Sequence, residues 1–110
     1  MGRFVKGAVV VVSFPFSDLE RSKRRPALVI TDLKGNDLIF CMITKTRRED
    51  GYSIPLEAAD FESGQLKHPS NIRPNRIFTA EEDKIEYPVG NVKQAKIQEV
   101  INKLIQIIKA

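Results

Sequence analysis

The apolar positions fall into short blocks whose period changes once, near the C-terminus. Ala8-Val9-Val10-Val11-Val12-Ser13-Phe14, a β-branched run after a glycine and closed by Pro15, predicts a strand buried on both faces. A polar connection, Ser17 to Arg25, leads to Pro26-Ala27-Leu28-Val29-Ile30-Thr31. This reads as a second strand with its proline at an edge, where a missing N–H is tolerated. Lys34-Gly35-Asn36-Asp37 is a turn, and Leu38 to Thr44 the partner strand of a hairpin. A basic loop, Lys45 to Gly51, precedes a shorter strand, Tyr52-Ser53-Ile54-Pro55-Leu56, whose proline again marks an edge or a bulge. After an irregular stretch, Ser70 to Arg73 and Arg76 to Thr79 predict two short strands, punctuated by Pro69 and Pro74, and Glu81-Glu82-Asp83 a solvated turn. Beyond Gly90, read as the turn out of the last strand, Ile97, Val100, Ile101, Leu104, Ile105 and Ile108 recur at helical spacing. An amphipathic helix therefore begins at about Lys93, with no Ser, Thr or Asp to cap it.

Five to seven short strands followed by one helix, without βαβ alternation or internal repeat, predict a mainly β chain: a small antiparallel barrel with a C-terminal amphipathic helix. The helix must bury its stripe against that barrel or against a partner. The 110 residues, 42% apolar and 29% charged, suit a single domain over 1–110 and are not those of a disordered chain.

Composition also excludes chemistry. One cysteine, Cys41, and one histidine, His68, make neither an intramolecular disulfide nor a Cys/His zinc set, so no cofactor is expected. No apolar run approaches the ~18 residues of a membrane span, and the N-terminus lacks the uninterrupted hydrophobic segment of a secretion signal. A cytoplasmic protein without membrane attachment is the expectation.

The net charge of +4 is modest, but it is concentrated. Between Leu19 and Arg48 there are eight basic residues and three acids, a local excess of +5, while the rest of the chain sums to −1. That stretch is either a solvated surface or the footprint of an anionic partner.

Phe14-Pro15-Phe16-Ser17-Asp18-Leu19-Glu20-Arg21-Ser22-Lys23-Arg24-Arg25-Pro26-Ala27-Leu28-Val29-Ile30 resembles the signature of the PemK/MazF toxins: strand, loop, Arg-Arg-Pro, apolar strand. Ile43-Thr44 ends its strand as that family's threonine does. Ser63-Gly64-Gln65-Leu66, Pro69-Ser70-Asn71-Ile72-Arg73, Arg76-Ile77-Phe78-Thr79 and the terminal helix look like the later blocks, in order. The resemblance implies a dimeric SH3-like barrel of the CcdB/PemK superfamily. It also implies an mRNA interferase, a sequence-specific, metal-independent endoribonuclease acting on single-stranded RNA and neutralised by a cognate antitoxin. Catalytic roles carry onto Arg25 and Thr44, and Arg73 matches a basic position at the RNA site of some members. Where the family often has Gly-Asp this chain has Gly7-Ala8, and Asn75 stands where an acid often follows the later arginine.

The residues themselves allow that chemistry. Cleavage of RNA by its own 2′-hydroxyl needs a proton acceptor, stabilisation of the phosphorane's extra charge, and protonation of the leaving 5′-oxygen, giving 2′,3′-cyclic phosphate and 5′-hydroxyl ends. The planar, always cationic guanidinium of Arg25 suits the second task, and the Thr44 hydroxyl would donate to a nonbridging oxygen. The base stays unassigned: His68 has the right intrinsic chemistry, but in an irregular stretch between Lys67 and Pro69 it reads as a solvated loop residue rather than a catalytic one. Arg24, Lys45, Arg47, Arg48 and Arg73 would hold the RNA backbone, while Phe16 and Tyr52 are candidate stacking platforms for bases. Two rivals remain: a non-catalytic RNA-binding relative, altered at Ala8 and Asn75, and a gyrase poison of the same superfamily. The second branch ends in Trp-Gly-Ile, whereas this sequence has no tryptophan and ends Ile107-Ile108-Lys109-Ala110.

Overall fold

In a computed structural model, residues 4–14, 23–47 and 49–110 are described; Phe16, Arg48 and most of the connection after Phe14 lie outside them. The elements are β1 (Ala8–Phe14), β2 (Lys23–Asp32), β3 (Asp37–Thr44), β4 (Ile54–Leu56), β5 (Phe61–Gly64), β6 (Ser70–Glu81), β7 (Ile85–Val92) and α1 (Gln94–Lys109). Two 3₁₀ turns, Ala58–Asp60 and Glu82–Lys84, join β4 to β5 and β6 to β7. The strands form one antiparallel sheet in the order β4-β6-β3-β2-β1-β7-β5.

Chain length forces this sheet to curl. Seven strands laid flat would separate the outer two by about 29 Å, at about 4.8 Å per gap. The two outer strands are nevertheless neighbours in sequence: Leu56 ends β4 and Phe61 begins β5. Five Cα steps reach at most about 18 Å. The sheet therefore rolls into a half-barrel, and bulges in β2, β5, β6 and β7 supply the bends. The fold is the mainly β one expected from the sequence.

Because side chains alternate along a strand, the central strands feed two apolar clusters. Val9, Leu28, Ile30, Cys41 and Ile43 face the concave side, where Ile54, Leu56, Phe61, Ile72 and Val92 close around them with Ile97 and Val100 of α1. Ala8, Val10, Val12, Ala27, Val29, Leu38 and Phe40 form the second cluster, on which Phe4, Phe78 and Ile85 pack. Phe40 and Phe78, directly opposite in register, stack with centroids 4.9 Å apart. Hence β1 is buried on both faces, as its unbroken apolar run implies. Within the concave cluster, burial pushes the Cys41 thiol up to about 12, so it behaves as a small apolar side chain.

Helix α1 lies over the concave cluster as a plug. Its first turn is fixed by the Lys93 N–H donating to the Asp60 carbonyl, and by the Lys96 ammonium, which donates to the Pro55 carbonyl and pairs with Asp60 and Glu99. Towards the C-terminus the stripe leaves the barrel, and Ile105 and Ile108 are exposed.

Four local readings change. The segments on either side of Pro74 are one strand, β6, with Pro74, Asn75 and Arg76 looped out between the pairs Met42–Arg73 and Cys41–Ile77. The stretch read as irregular contains β5. Gly90 lies inside β7, opposite Gly64, because a Cβ at either glycine would collide with the other strand's backbone. Pro26, read as the edge of its strand, lies inside β2, which begins at Lys23. It is tolerated because β2 pairs with β3 only from Ala27 onward, so at Pro26 the ladder is one-sided.

Candidate functional site

That one-sided ladder opens a recess in the molecule. Beyond the Ala27–Met42 pair, β3 leaves β2 and its last residues, Ile43 and Thr44, pair with Ile72 and Asn71 of β6. The start of β2 stays with β1, so the sheet parts and leaves a cavity of about 640 Å³ lined by Arg24, Arg25 and Pro26 on one wall and by Ile43, Thr44 and Lys45 on the other. The connection from β5 to β6, Gln65 to His68, closes one end, and Tyr87 of β7 stands at its side.

Charge inside this cavity has one sign. Arg24, Arg25, Lys45 and Lys67 line it, and no carboxylate does among the described residues. Glu86 approaches from outside, 3.7 Å from the exposed Arg24 guanidinium, a distance and exposure at which an ion pair contributes little. Thr44 Oγ1 accepts a hydrogen bond from the Thr46 N–H at 3.2 Å, which orients the hydroxyl and leaves its proton to donate. Ser70, itself buried, donates to the His68 carbonyl at 3.1 Å and pins the closing segment. No group of three or more His, Cys, Asp or Glu able to hold a metal is found among the described residues.

The structure thus brings together Arg24, Arg25, Thr44 and Lys45, four of the residues singled out in the sequence, and adds His68 to them. Three others stand elsewhere. Tyr52 is exposed but does not line the cavity, and Arg47 borders a separate, smaller depression with Asn71. Arg73 is only 8% exposed, and its guanidinium pairs with Asp50 at 2.8 Å instead of facing solvent. Phe16 and Arg48 fall outside the described residues. Ala8 is buried in the second apolar cluster and Asn75 is exposed in the β6 bulge, so neither departure from the family pattern lines the cavity.

Sequence reasoning missed Lys67, Tyr87 and Gln65. Lys67 and Gln65 lie in a stretch with no periodic signal. Tyr87, 52% exposed, is one of only two tyrosines, and its place between Glu86 and Pro88 was the available hint of an outward-facing aromatic.

Fold and site together define a small curled β-sheet protein with a cationic cleft where its sheet parts. Residues 5–108 match the sequence pattern of the PemK-like, MazF-like toxins of type II toxin-antitoxin systems, and the chain belongs to that family. No curated protein sequence matches it. Among solved structures it is similar to a chain of a MazE-MazF crystal structure from Deinococcus radiodurans, at 20% identity and a TM-score of 0.76, covering 99% of this chain and 98% of that one. It is also similar to an endoribonuclease from Mycobacterial species (18% identity, TM-score 0.73, 99% and 94% covered). A third similar structure is an endoribonuclease in complex with its cognate antitoxin, also from Mycobacterial species (17%, 0.75, 96% and 95%). At these identities the likeness establishes the half-barrel fold. Among the described residues no helix is long and apolar enough to cross a membrane.

Proposed function

We propose that this toxin is a sequence-specific, metal-independent endoribonuclease that cuts single-stranded RNA by attack of the 2′-hydroxyl on the adjacent phosphate. The observation that carries this reading is the convergence of Arg25 and Thr44 on one cavity whose charged lining, among the described residues, is wholly cationic. A phosphate entering between β2 and β3 meets the Arg25 guanidinium, which forms paired, charge-assisted hydrogen bonds to nonbridging oxygens and balances the charge gained in the phosphorane. Thr44, its hydroxyl oriented by Thr46, donates to one of those oxygens. Removing one such donor costs about 2.7 to 4 kcal/mol in comparable sites. Arg24, Lys45 and Lys67 hold the flanking phosphates, and Tyr87 offers a face for stacking. His68, the one histidine of the chain, is among the residues lining the same cavity, which supports it as the candidate for the still unassigned proton transfer.

The same features suit an antitoxin. A partly disordered acidic segment studded with apolar residues would fold across the cleft, set its carboxylates on the four cations and its apolar side chains on Pro26, Ile43 and Val89. Inhibition of this kind competes with RNA and weakens with salt. The family resemblance further supports a homodimer working in the cytoplasm.

The test is incubation of purified protein with a long single-stranded RNA in EDTA, beside Arg25→Ala. Discrete cuts bearing 2′,3′-cyclic phosphate and 5′-hydroxyl ends, absent in a folded Arg25→Ala, are expected. Near wild-type turnover by that variant overturns the assignment of Arg25. Binding without cuts at any sequence in the wild type would establish the non-catalytic relative instead.

A further inference from the structure

A second cavity, of about 370 Å³, lies against the first and shares with it the segment Gln65 to His68, which forms a ridge between the two. The two differ in character. The larger holds four cations and no acid among its described lining, whereas the smaller is floored by Leu56 and Phe61, flanked by Leu66 and Pro69, and carries one cation, Lys67, and one carboxylate, Glu57. A ribonucleotide divides in the same way, into an anionic phosphate and a flat, uncharged base whose edge carries donors and acceptors. Bases of single-stranded RNA are recognised by apolar or aromatic faces and by hydrogen bonds at that edge.

The ridge is also held rigidly. At its start, Gly64 adopts φ +71° and lies so close to Val89 and Gly90 of β7 that a side chain there would collide with their backbone. At its end, the Ser70 hydroxyl holds the His68 carbonyl. Between these anchors Gln65 is exposed, and its amide makes no hydrogen bond among the described residues. A primary amide presents a donor and an acceptor side by side, the pattern that base edges complement. A fixed ridge carrying an unengaged amide, set between a phosphate-like and a base-like recess, is a preorganised reading head.

We propose that the smaller cavity is a nucleobase subsite. It takes the base of a nucleotide adjoining the phosphate held by Arg25, and Gln65 reads the edge of that base. The inference rests on the endoribonuclease reading for its orientation, and gives that reading a source of sequence preference built from β4, β5 and the β5–β6 connection.

The experiment maps fragment ends from a random-sequence RNA cut by wild type, Gln65→Ala and Gln65→Glu. Gln65 is exposed, so both variants are expected to fold, which circular dichroism checks. The expected result is a preferred base at one fixed position beside the cut. Its preference falls by about tenfold in Gln65→Ala and moves to a different base in Gln65→Glu, while preferences at other positions stay. An unchanged profile in both variants, or a uniform loss of cutting with the preference intact, overturns the proposal. A parallel selection of bound sequences from a random single-stranded DNA pool, which lacks the attacking hydroxyl, separates this inference from catalysis. If the wild type cuts nothing but selects a base that Gln65→Ala no longer selects, the endoribonuclease reading fails and the subsite stands. If it cuts normally and the Gln65 variants keep its profile, the subsite fails alone.

Discussion

Arg73 and Asp50 show how burial assigns a residue its work. A guanidinium 8% exposed cannot act as a solvent-facing phosphate clamp, and this one is turned onto a carboxylate of the β3–β4 loop. Asp50 also accepts from the N–H groups of Tyr52 and Ser53 at 3.0 and 3.3 Å, closing the loop on itself. The Tyr52 N–H first, then Ser53 and the Arg73 charge, hold the Asp50 carboxyl below its ordinary value. A carboxyl depressed in the folded state stabilises it above the unfolded pKa and loses that contribution as pH falls through the folded one. Acidification below the usual carboxylate range, or Asp50→Asn at neutral pH, is therefore expected to lower the protection of the Tyr52 and Ser53 amides, measured as exchange relative to the free-peptide rate at the same pH, and to leave β3 protected. Equal exchange in wild type and variant would mean the loop is held by something else. Nothing in the spacing of Asp50 and Arg73, 23 residues apart, announced the pair. Sequence showed a basic residue between strand segments, and only the pairing of β3 with β6 brought it beneath the loop.

Among the elements, α1 shows burial divided along its length. Ile97 and Val100 are enclosed by the half-barrel, while Ile108 is 69% exposed, although all three belong to one helical stripe. Ile97→Ala is thus expected to cost about 2 to 5 kcal/mol of unfolding free energy. Ile108→Ala should change it by no more than about 0.5 kcal/mol. Urea melts of the two variants at low protein concentration check this, and equal losses would contradict the division. Helical periodicity reported that a stripe exists, but how far along it the barrel extends depends on where the β4–β5 turn meets the helix. The strands are read unequally for a related reason. β1, β2 and β3 carry unbroken apolar runs because both their faces are covered. β5 and the β6 bulge carry no such run, being short, mostly exposed and shaped by the closeness of Gly64 to Gly90.

For the molecule as a whole, the charge of +4 matters less than where it collects. Four cations around one cleft, each neutralising one phosphate, give single-stranded RNA binding a log–log salt slope of about −3. Lys45→Ala should reduce that slope by about 0.7 while leaving turnover at saturating RNA largely intact. A large loss of turnover would relocate Lys45 to the reacting phosphate. By itself the sequence determined the class of fold, the terminal helix, and the two blocks in which Arg25 and Thr44 stand. Each of these follows from local periodicity or from a contiguous motif, and local patterns survive without knowledge of the partner strand. What tertiary structure decided was membership of the site. Parting β2 from β3 at Pro26 opens the cleft, and curling the sheet brings the Gln65–His68 ridge and Tyr87 to it from other strands. The same packing turns Arg73 inward. Such choices depend on strand pairing between distant segments and on the curl that a short β4–β5 connection imposes, and neither is written at any one position of the chain.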